Sequence, residues 1–222
     1  MSQIPHDDAG EDEFESTPVD RPREYSSELA EDVVTEKGLT LQLRPIRPSD
    51  ARVLLEFHAL LSPDSVYRRY FSVHPELSDA EVIHLTTVDY VDRFAFIVLD
   101  HDDLVGVARY DRIPGTANAE VAFVVADQYQ GQGIGLTLLE HLADVAWPLG
   151  ITTFTAETQA NNRDMMNVFE YSGYPVTTKL EDEIISVHFP IQPTAVSRAI
   201  RAERAERSAK ALQENERSAD QN

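Results

Sequence analysis

One short stretch constrains this chain more than any other: Gln130-Gly131-Gln132-Gly133-Ile134-Gly135. It follows an apolar run with strand character, Glu120 to Ala126, and opens a helix-like run from Leu136 to Trp147. Glycines at 131, 133 and 135 let the backbone curl tightly and approach a ligand without Cβ clashes. The N–H groups of the first helical turn then face outward and, with the helix dipole, favour an anion. Strand, glycine loop and helix in that order predict a turn that binds phosphate or pyrophosphate.

Three phosphate ligands compete for such a turn. A P-loop ends in Gly-Lys-Ser/Thr, and this loop ends Gly133-Ile134-Gly135 with no lysine. A dinucleotide fingerprint would place its third glycine at 136, where Leu136 stands, although Glu157 lies near the place of a ribose-binding acid. The third ligand is the pyrophosphate of coenzyme A. Gln-x-x-Gly-x-Gly between a strand and a helix resembles the acyl-CoA loop of the GNAT N-acyltransferase superfamily. The longer run Val125 to Gly135 is similar to that family's Val-x-Pro-x-Tyr-Arg-Gly-x-Gly-Ile-Gly, with Asp127 at the proline and Gln130 at the arginine position. Asn162 with Gly173-Tyr174 matches the family's Asn…Gly-Phe pair, and Leu43 to Asp50 resembles its first strand. The resemblance covers about Leu39 to Ile191. It implies a mixed α/β fold, a central and mostly antiparallel sheet flanked by helices, and acetyl-CoA as co-substrate.

Composition narrows the setting. The 222 residues allow one moderate domain with tails. The absence of cysteine excludes disulfides and thiol nucleophiles, and the seven histidines show no ligand spacing, so no metal is expected. No apolar run reaches the roughly 18–20 residues of a membrane span. The acidic start looks nothing like a signal peptide, so a cytoplasmic location and no membrane partner are expected. A net charge of −20 argues against nucleic acid, whose recognition needs a basic footprint. Acids are not confined to one tail, since residues 38–192 carry 22 acids against 10 bases. With only three lysines beside 16 arginines, this body resembles proteins of salt-rich cytoplasm; molar salt screens self-repulsion within about 3 Å. Full activity at low ionic strength would contradict that origin.

Along the chain, residues 1–38 combine Asp, Glu, Ser and Pro with few large apolar residues, which predicts a disordered acidic tail. The acetyltransferase-like domain is expected over 39–192. A strand at Leu39–Ile46 leads into a helix capped by Pro48-Ser49-Asp50. Two more helices are predicted: one over Ser62–Phe71 with Pro63 in its first turn, and one opened by the capping box Ser78-Asp-Ala-Glu81. Strands follow at Phe94–Leu99, Leu104–Arg112 and Ala119–Ala126, and beyond the loop helix come a strand at Ile151–Glu157 and a helix at Arg163–Ser172. Val176–Lys179 with Ile184–Phe189 predicts a closing hairpin. Residues 193–222 are rich in Ala, Arg and Glu with a ragged apolar stripe, and read as a solvated, partly helical tail.

Acyl transfer from a thioester to an amine needs a base for the ammonium proton, donors for the developing oxyanion and a proton for the leaving thiolate. Two acids suit the first task. The resemblance puts Glu120 at the base position of histone-type and bacterial protein-lysine acetyltransferases, and Glu157 at the position used on ribosomal-protein N-termini. Two adjacent parallel strand ends would direct both carboxylates into one cleft. Glu120 is the preferred base; either acid could instead be a solvated strand-end residue. Backbone N–H groups of Phe123, Val124 and Val125 are expected to polarise the thioester if this strand splays from its neighbour. The loop residues Gln130, Gly131, Gln132, Gly133, Ile134, Gly135 and Leu136 are expected at the pyrophosphate. Asn162 is expected at the pantetheine, at the N-cap of the next helix, or at both. Many relatives carry a tyrosine four residues before Gly-Phe, where this chain has Phe169, so the general acid is open. Arg68-Arg69 between Tyr67 and Tyr70 either lines an acceptor cleft or forms surface ion pairs.

The sequence therefore predicts an acetyl-CoA-dependent N-acetyltransferase. Leu43 to Asp50 together with Leu61 to Phe71 is similar to the catalytic domain of Pat-type enzymes, which implies a protein-lysine acceptor. Small-molecule amine acetylation is the runner-up, and a non-catalytic acyl-CoA-binding module is the reading from another class.

Overall fold

The computed structural model describes residues 24–73 and 76–219. One eight-stranded sheet runs through it, built from β1 (Glu31–Val34), β2 (Thr40–Pro45), β3 (Arg93–Asp100), β4 (Asp103–Arg112), β5 (Asn118–Val125), β6 (Thr153–Gln159), β7 (Thr177–Glu181) and β8 (Ile184–Pro190). The strand order is β1-β2-β3-β4-β5-β6-β8-β7. Every neighbouring pair is antiparallel except β5 with β6. This is the expected mixed, mostly antiparallel α/β architecture.

Helices cover both faces. α1 (Ala51–Leu60), α2 (Pro63–Tyr70) and α3 (Asp79–Thr86) lie between β2 and β3, α4 (Ile134–Ala146) follows β5, α5 (Arg163–Glu170) follows β6, and α6 (Ala195–Ala219) closes the chain. Strand β3 shows why the sheet reads as an unbroken apolar run. Phe94, Phe96 and Val98 enter a core with Leu138, Leu139 and Leu142 of α4, while Ala95, Ile97 and Leu99 enter a second core with Leu54 and Phe57 of α1. A strand buried on both faces loses the polar alternation of a half-exposed one. Each fully buried Phe or Leu contributes about 1.5–3 kcal/mol against exposure.

The local signals explain the helix starts. Ser62 Oγ accepts from Ser65 N at 3.2 Å, with Pro63 opening α2. Ser78 and Glu81 form the reciprocal capping box of α3, at 3.3 Å and 2.8 Å. At the end of β2, Asp50 accepts both fork nitrogens of Arg44, at 2.7 Å and 2.8 Å, and the Arg47 N–H at 2.9 Å. That buried carboxylate joins the strand to the helices that follow.

Both tails depart from expectation. Part of the predicted N-terminal tail, residues 1–23, lies outside the described residues. Within the rest, β1 pairs with β2, and a turn at Thr35–Leu39 closes the hairpin. Composition averaged over 38 residues hides the short run Val33-Val34-Thr35, which is enough for an edge strand. The C-terminal stretch is a single helix, α6, seated against α4 and the β1–β2 turn. Arg204 pairs with Glu140 and donates to Thr137 Oγ1 at 2.7 Å, Arg201 pairs with Asp144, and Asn215 donates to the Lys37 carbonyl at 2.8 Å. Its docking stripe is Ser197, Ile200, Arg204, Ser208 and Ala211, at helical spacing but with few apolar members, so a hydrophobic pattern does not reveal it.

Candidate active site

The glycine loop has the geometry its sequence requires. After β5 a short 3₁₀ turn, Asp127–Tyr129, leads to Gly131 at φ 66° and Gly133 at φ 83°, the second being the N-cap of α4. Side chains at such φ cost roughly 1–2 kcal/mol. Gly135 serves a different purpose, since a Cβ there would lie 3.0 Å from Val168 Cγ2 of α5. The N-cap Gly133 offers no side chain to cap α4, so the first-turn N–H groups of the helix can receive an anion.

Asp127, at the position where relatives carry proline, braces the loop from the side. Its carboxylate accepts from Ser62 N at 3.0 Å, Ser62 Oγ at 2.6 Å and Ser65 Oγ at 2.8 Å, tying the loop to the start of α2. Desolvation raises its pKa, but the hydrogen bonds from Ser62 and Ser65 outweigh that and hold it below the ordinary aspartate value. Gln130 Nε2 donates to the Val125 carbonyl at 3.0 Å and to Ser65 Oγ at 3.2 Å. Gln132 is buried and donates to the Gln128 carbonyl at 3.2 Å. Gln132 thus holds the loop from within, and Gln130 ties it to β5 and α2.

The parallel pairing of β5 and β6 stops early. It runs Asn118↔Thr153, Ala119↔Phe154, Glu120↔Thr155, and beyond that register the strands part. Over the same stretch β5 stays paired with β4 as far as Val125. The gap widens into a cleft of about 870 Å³. The β5 segment Phe123–Val125, the residues Gln130, Gly131, Gly133, Ile134, Gly135 and Leu136, and Asn162 all line it. Gln132 is the one predicted cofactor residue that does not.

Glu120 and Glu157 both line this cleft and are exposed. Glu120 is the last β5 residue paired to β6, and Glu157 lies two residues beyond its partner Thr155, hence on the same sheet face. Asn162 is buried and caps α5, accepting from Met165 N at 3.1 Å, while also lining the cleft. Arg68 and Arg69 of α2 reach the cleft as well, and Arg68 bridges towards Asp164 of α5 at 3.7 Å.

Three tyrosines line the cleft, Tyr70, Tyr129 and Tyr171, and Phe169 lines it as well. Phe169 is fully buried against Phe123 and Phe189, with ring centroids 6.2 Å and 5.5 Å away. Tyr129 lines the cleft, but its hydroxyl donates to Asp100 at 2.6 Å, which with burial pushes it up to about 12. Tyr171 at the end of α5 is exposed and lines the cleft. It lies two residues beyond Phe169, at the C-cap of α5, where the helical geometry ends.

The model of the acetyltransferase (GNAT) family matches residues 58–174. The chain belongs to this family. An acetyltransferase of Pseudomonas aeruginosa is 30% identical over 155 residues, 68% of this chain and 83% of that protein. Acetyltransferase Pat of Mycolicibacterium smegmatis is 33% identical over 139 residues, 61% of this chain and 41% of that protein. This chain therefore matches less than half the length of Pat. The crystal structure of the GNAT domain of S. lividans PAT superposes with a TM-score of 0.71 at 36% identity, covering 75% of this chain and 99% of that one. The chain is thus a GNAT acetyltransferase, and its mixed, mostly antiparallel sheet flanked by helices is the GNAT fold.

Sequence reasoning missed one side of the cleft. Glu36 from the β1–β2 turn and Ile200, Glu203 and Arg207 from α6 also line it. The acidic composition of one segment and the charge-rich pattern of the other masked them.

Proposed function

We propose that this acetyltransferase moves the acetyl group of acetyl-CoA directly to a primary amine, a protein lysine, with Glu120 as general base. The observation that carries the reading is the parting of β5 from β6 directly after the Glu120↔Thr155 pair. It opens one cleft that holds a phosphate-type loop at one end and two carboxylates at the other.

A lysine amine, with an ordinary pKa near 10.4, reaches the site as ammonium. Glu120 takes its proton, directly or through a water, and the nitrogen attacks the thioester carbonyl carbon. A C–N bond forms and the carbonyl becomes an oxyanion facing the β5 edge between Phe123 and Val125, where backbone donors stabilise it. The C–S bond then breaks and the CoA thiolate takes up a proton. Of the three tyrosines that line the cleft, the Tyr129 hydroxyl is engaged by Asp100 and burial raises the Tyr70 hydroxyl, so the exposed Tyr171 is the donor favoured in place of Phe169, which carries no acidic proton.

The resemblance of Leu43 to Asp50 and Leu61 to Phe71 to Pat-type protein-lysine acetyltransferases supports the lysine acceptor. An acidic protein also attracts a basic, lysine-bearing partner at low salt. The test is thiol release from acetyl-CoA with lysine-containing proteins and peptides, set against polyamines, amino acids and aminoglycosides. Turnover with protein lysines supports the reading. Turnover on free amines alone reassigns the acceptor, and CoA binding with no turnover on any amine points to a binding module.

A further inference from the structure

The loop at the phosphates contributes no cation of its own. Its two candidate positions hold Gln130 and Gln132, and both amides are already engaged, Gln130 by Val125 and Ser65 and Gln132 by Gln128. A 3′-phosphorylated ADP group would nevertheless bring several negative charges to a chain of net charge −20. Backbone N–H groups and a helix dipole lower that cost only in part.

A cation does reach the cleft from α6. Ile200, Glu203 and Arg207 recur at helical spacing, so they share one side of α6, and all three line the cleft. The β1–β2 turn meets them there. Glu36 donates its backbone N–H to the Gln132 carbonyl at 3.1 Å, and its side chain lies against Gly133, where a Cβ would be 3.2 Å from Glu36 Cγ. Arg207 joins this point through Nη2 to Glu36 Oε1 at 3.3 Å and through Nη1 to Glu203 Oε1 at 2.9 Å. Its guanidinium is therefore beside the loop. The helix that carries it is held close to the domain: a Cβ at Gly38 would meet the Ala211 carbonyl carbon at 2.6 Å, and one at Gly173 would meet Ser197 Cα at 2.8 Å.

We propose that Arg207 binds a phosphate group of the acyl-CoA nucleotide, and that Glu36 is the counter-ion holding the guanidinium in place until the ligand takes it over. The inference rests on the acetyl-CoA reading above. A guanidinium matches phosphate oxygens with two parallel donors. A phosphate dianion attracts it more strongly than the Glu36 carboxylate at 3.3 Å, and Nη1 can keep its bond to Glu203 while Nη2 turns to the ligand. The Arg207 side chain is 55% exposed, so the contribution is moderate and sensitive to salt. Glu36, once unpaired, repels the same phosphate.

The experiment is titration calorimetry on the full chain with CoA and with 3′-dephospho-CoA, at low and high salt. The proteins are wild type, Arg207→Ala, Arg207→Lys and Glu36→Gln, each with helix content checked by circular dichroism. Arg207→Ala is expected to weaken CoA binding roughly five- to tenfold at low salt. Arg207→Lys should recover part of the loss, Glu36→Gln should tighten binding, and the salt dependence should flatten in Arg207→Ala. Loss confined to CoA assigns the contact to the 3′-phosphate, and equal loss with the dephospho form assigns it to the pyrophosphate; both support the inference. Equal affinity of wild type and a folded Arg207→Ala for both ligands overturns it and leaves the acetyl-CoA reading intact. A wild type that binds no CoA overturns both.

Discussion

Asp127 and Ser62 are 65 positions apart in sequence, yet the Asp127 carboxylate accepts both the backbone N–H and the hydroxyl of Ser62, at 3.0 Å and 2.6 Å. The same carboxylate accepts from Ser65. One side chain thus fixes the approach to the glycine loop and the start of α2, the helix that carries Arg68 and Arg69 to the cleft.

Asp127→Ala should therefore loosen the loop more than the fold. The expected result is about a fivefold rise in the dissociation constant for acetyl-CoA, because a preorganised loop spares the ligand its ordering cost. The thermal midpoint should fall little, the residue being exposed. Calorimetric titration beside a melting curve checks both.

The Arg44–Asp50 pair should govern stability instead. Asp50→Asn leaves the buried Arg44 without its charged partner, a loss of about 3 kcal/mol at neutral pH, read as a lower denaturant midpoint at unchanged slope. Burial raises the Asp50 pKa, but the Arg44 and Arg47 hydrogen bonds outweigh it and the net shift is downward from 3.8. The wild-type advantage should hold above that value and disappear as pH falls through the lower folded-state value.

Much of the fold was legible because its local signals agree with its packing. The capping box at Ser78, the proline at α2 and the unbroken apolar run of β3 each have one physical cause, and the glycine positions follow from φ at 131 and 133 and from Val168 at 135. What sequence could not supply is contact between distant segments. Arg207 and Glu36 are 171 positions apart, and each lies in a stretch whose charge reads as a solvated surface. The docked face of α6 is built from Ser197, Arg204 and Ser208, which no hydrophobic periodicity marks. Gln130 and Gln132 show the same limit, since their spacing tells nothing of which way an amide turns.

Removal of the anchor of α6 tests its docking. Arg204→Ala should cost about 3 kcal/mol by leaving Glu140 buried without its main partner. Burial raises the Glu140 pKa above 4.5 despite Arg204 and Arg201, so its protonated form suits the folded state. The deficit of Arg204→Ala should accordingly be largest above the folded-state value and shrink as pH falls and Glu140 takes up a proton. Adding Glu140→Gln to Arg204→Ala should recover part of the loss at neutral pH, measured by chemical denaturation.

The central claim is that Glu120 takes the proton of the attacking amine. The most direct measurement is acetyl-CoA turnover, read as thiol release with a lysine-bearing protein, for wild type, Glu120→Gln and Glu157→Gln, with CoA affinity measured for each. Glu120→Gln is expected to lower kcat by about 10²-fold or more with CoA affinity unchanged, while Glu157→Gln keeps most of the rate. Full turnover in Glu120→Gln, or loss confined to Glu157→Gln, would contradict it.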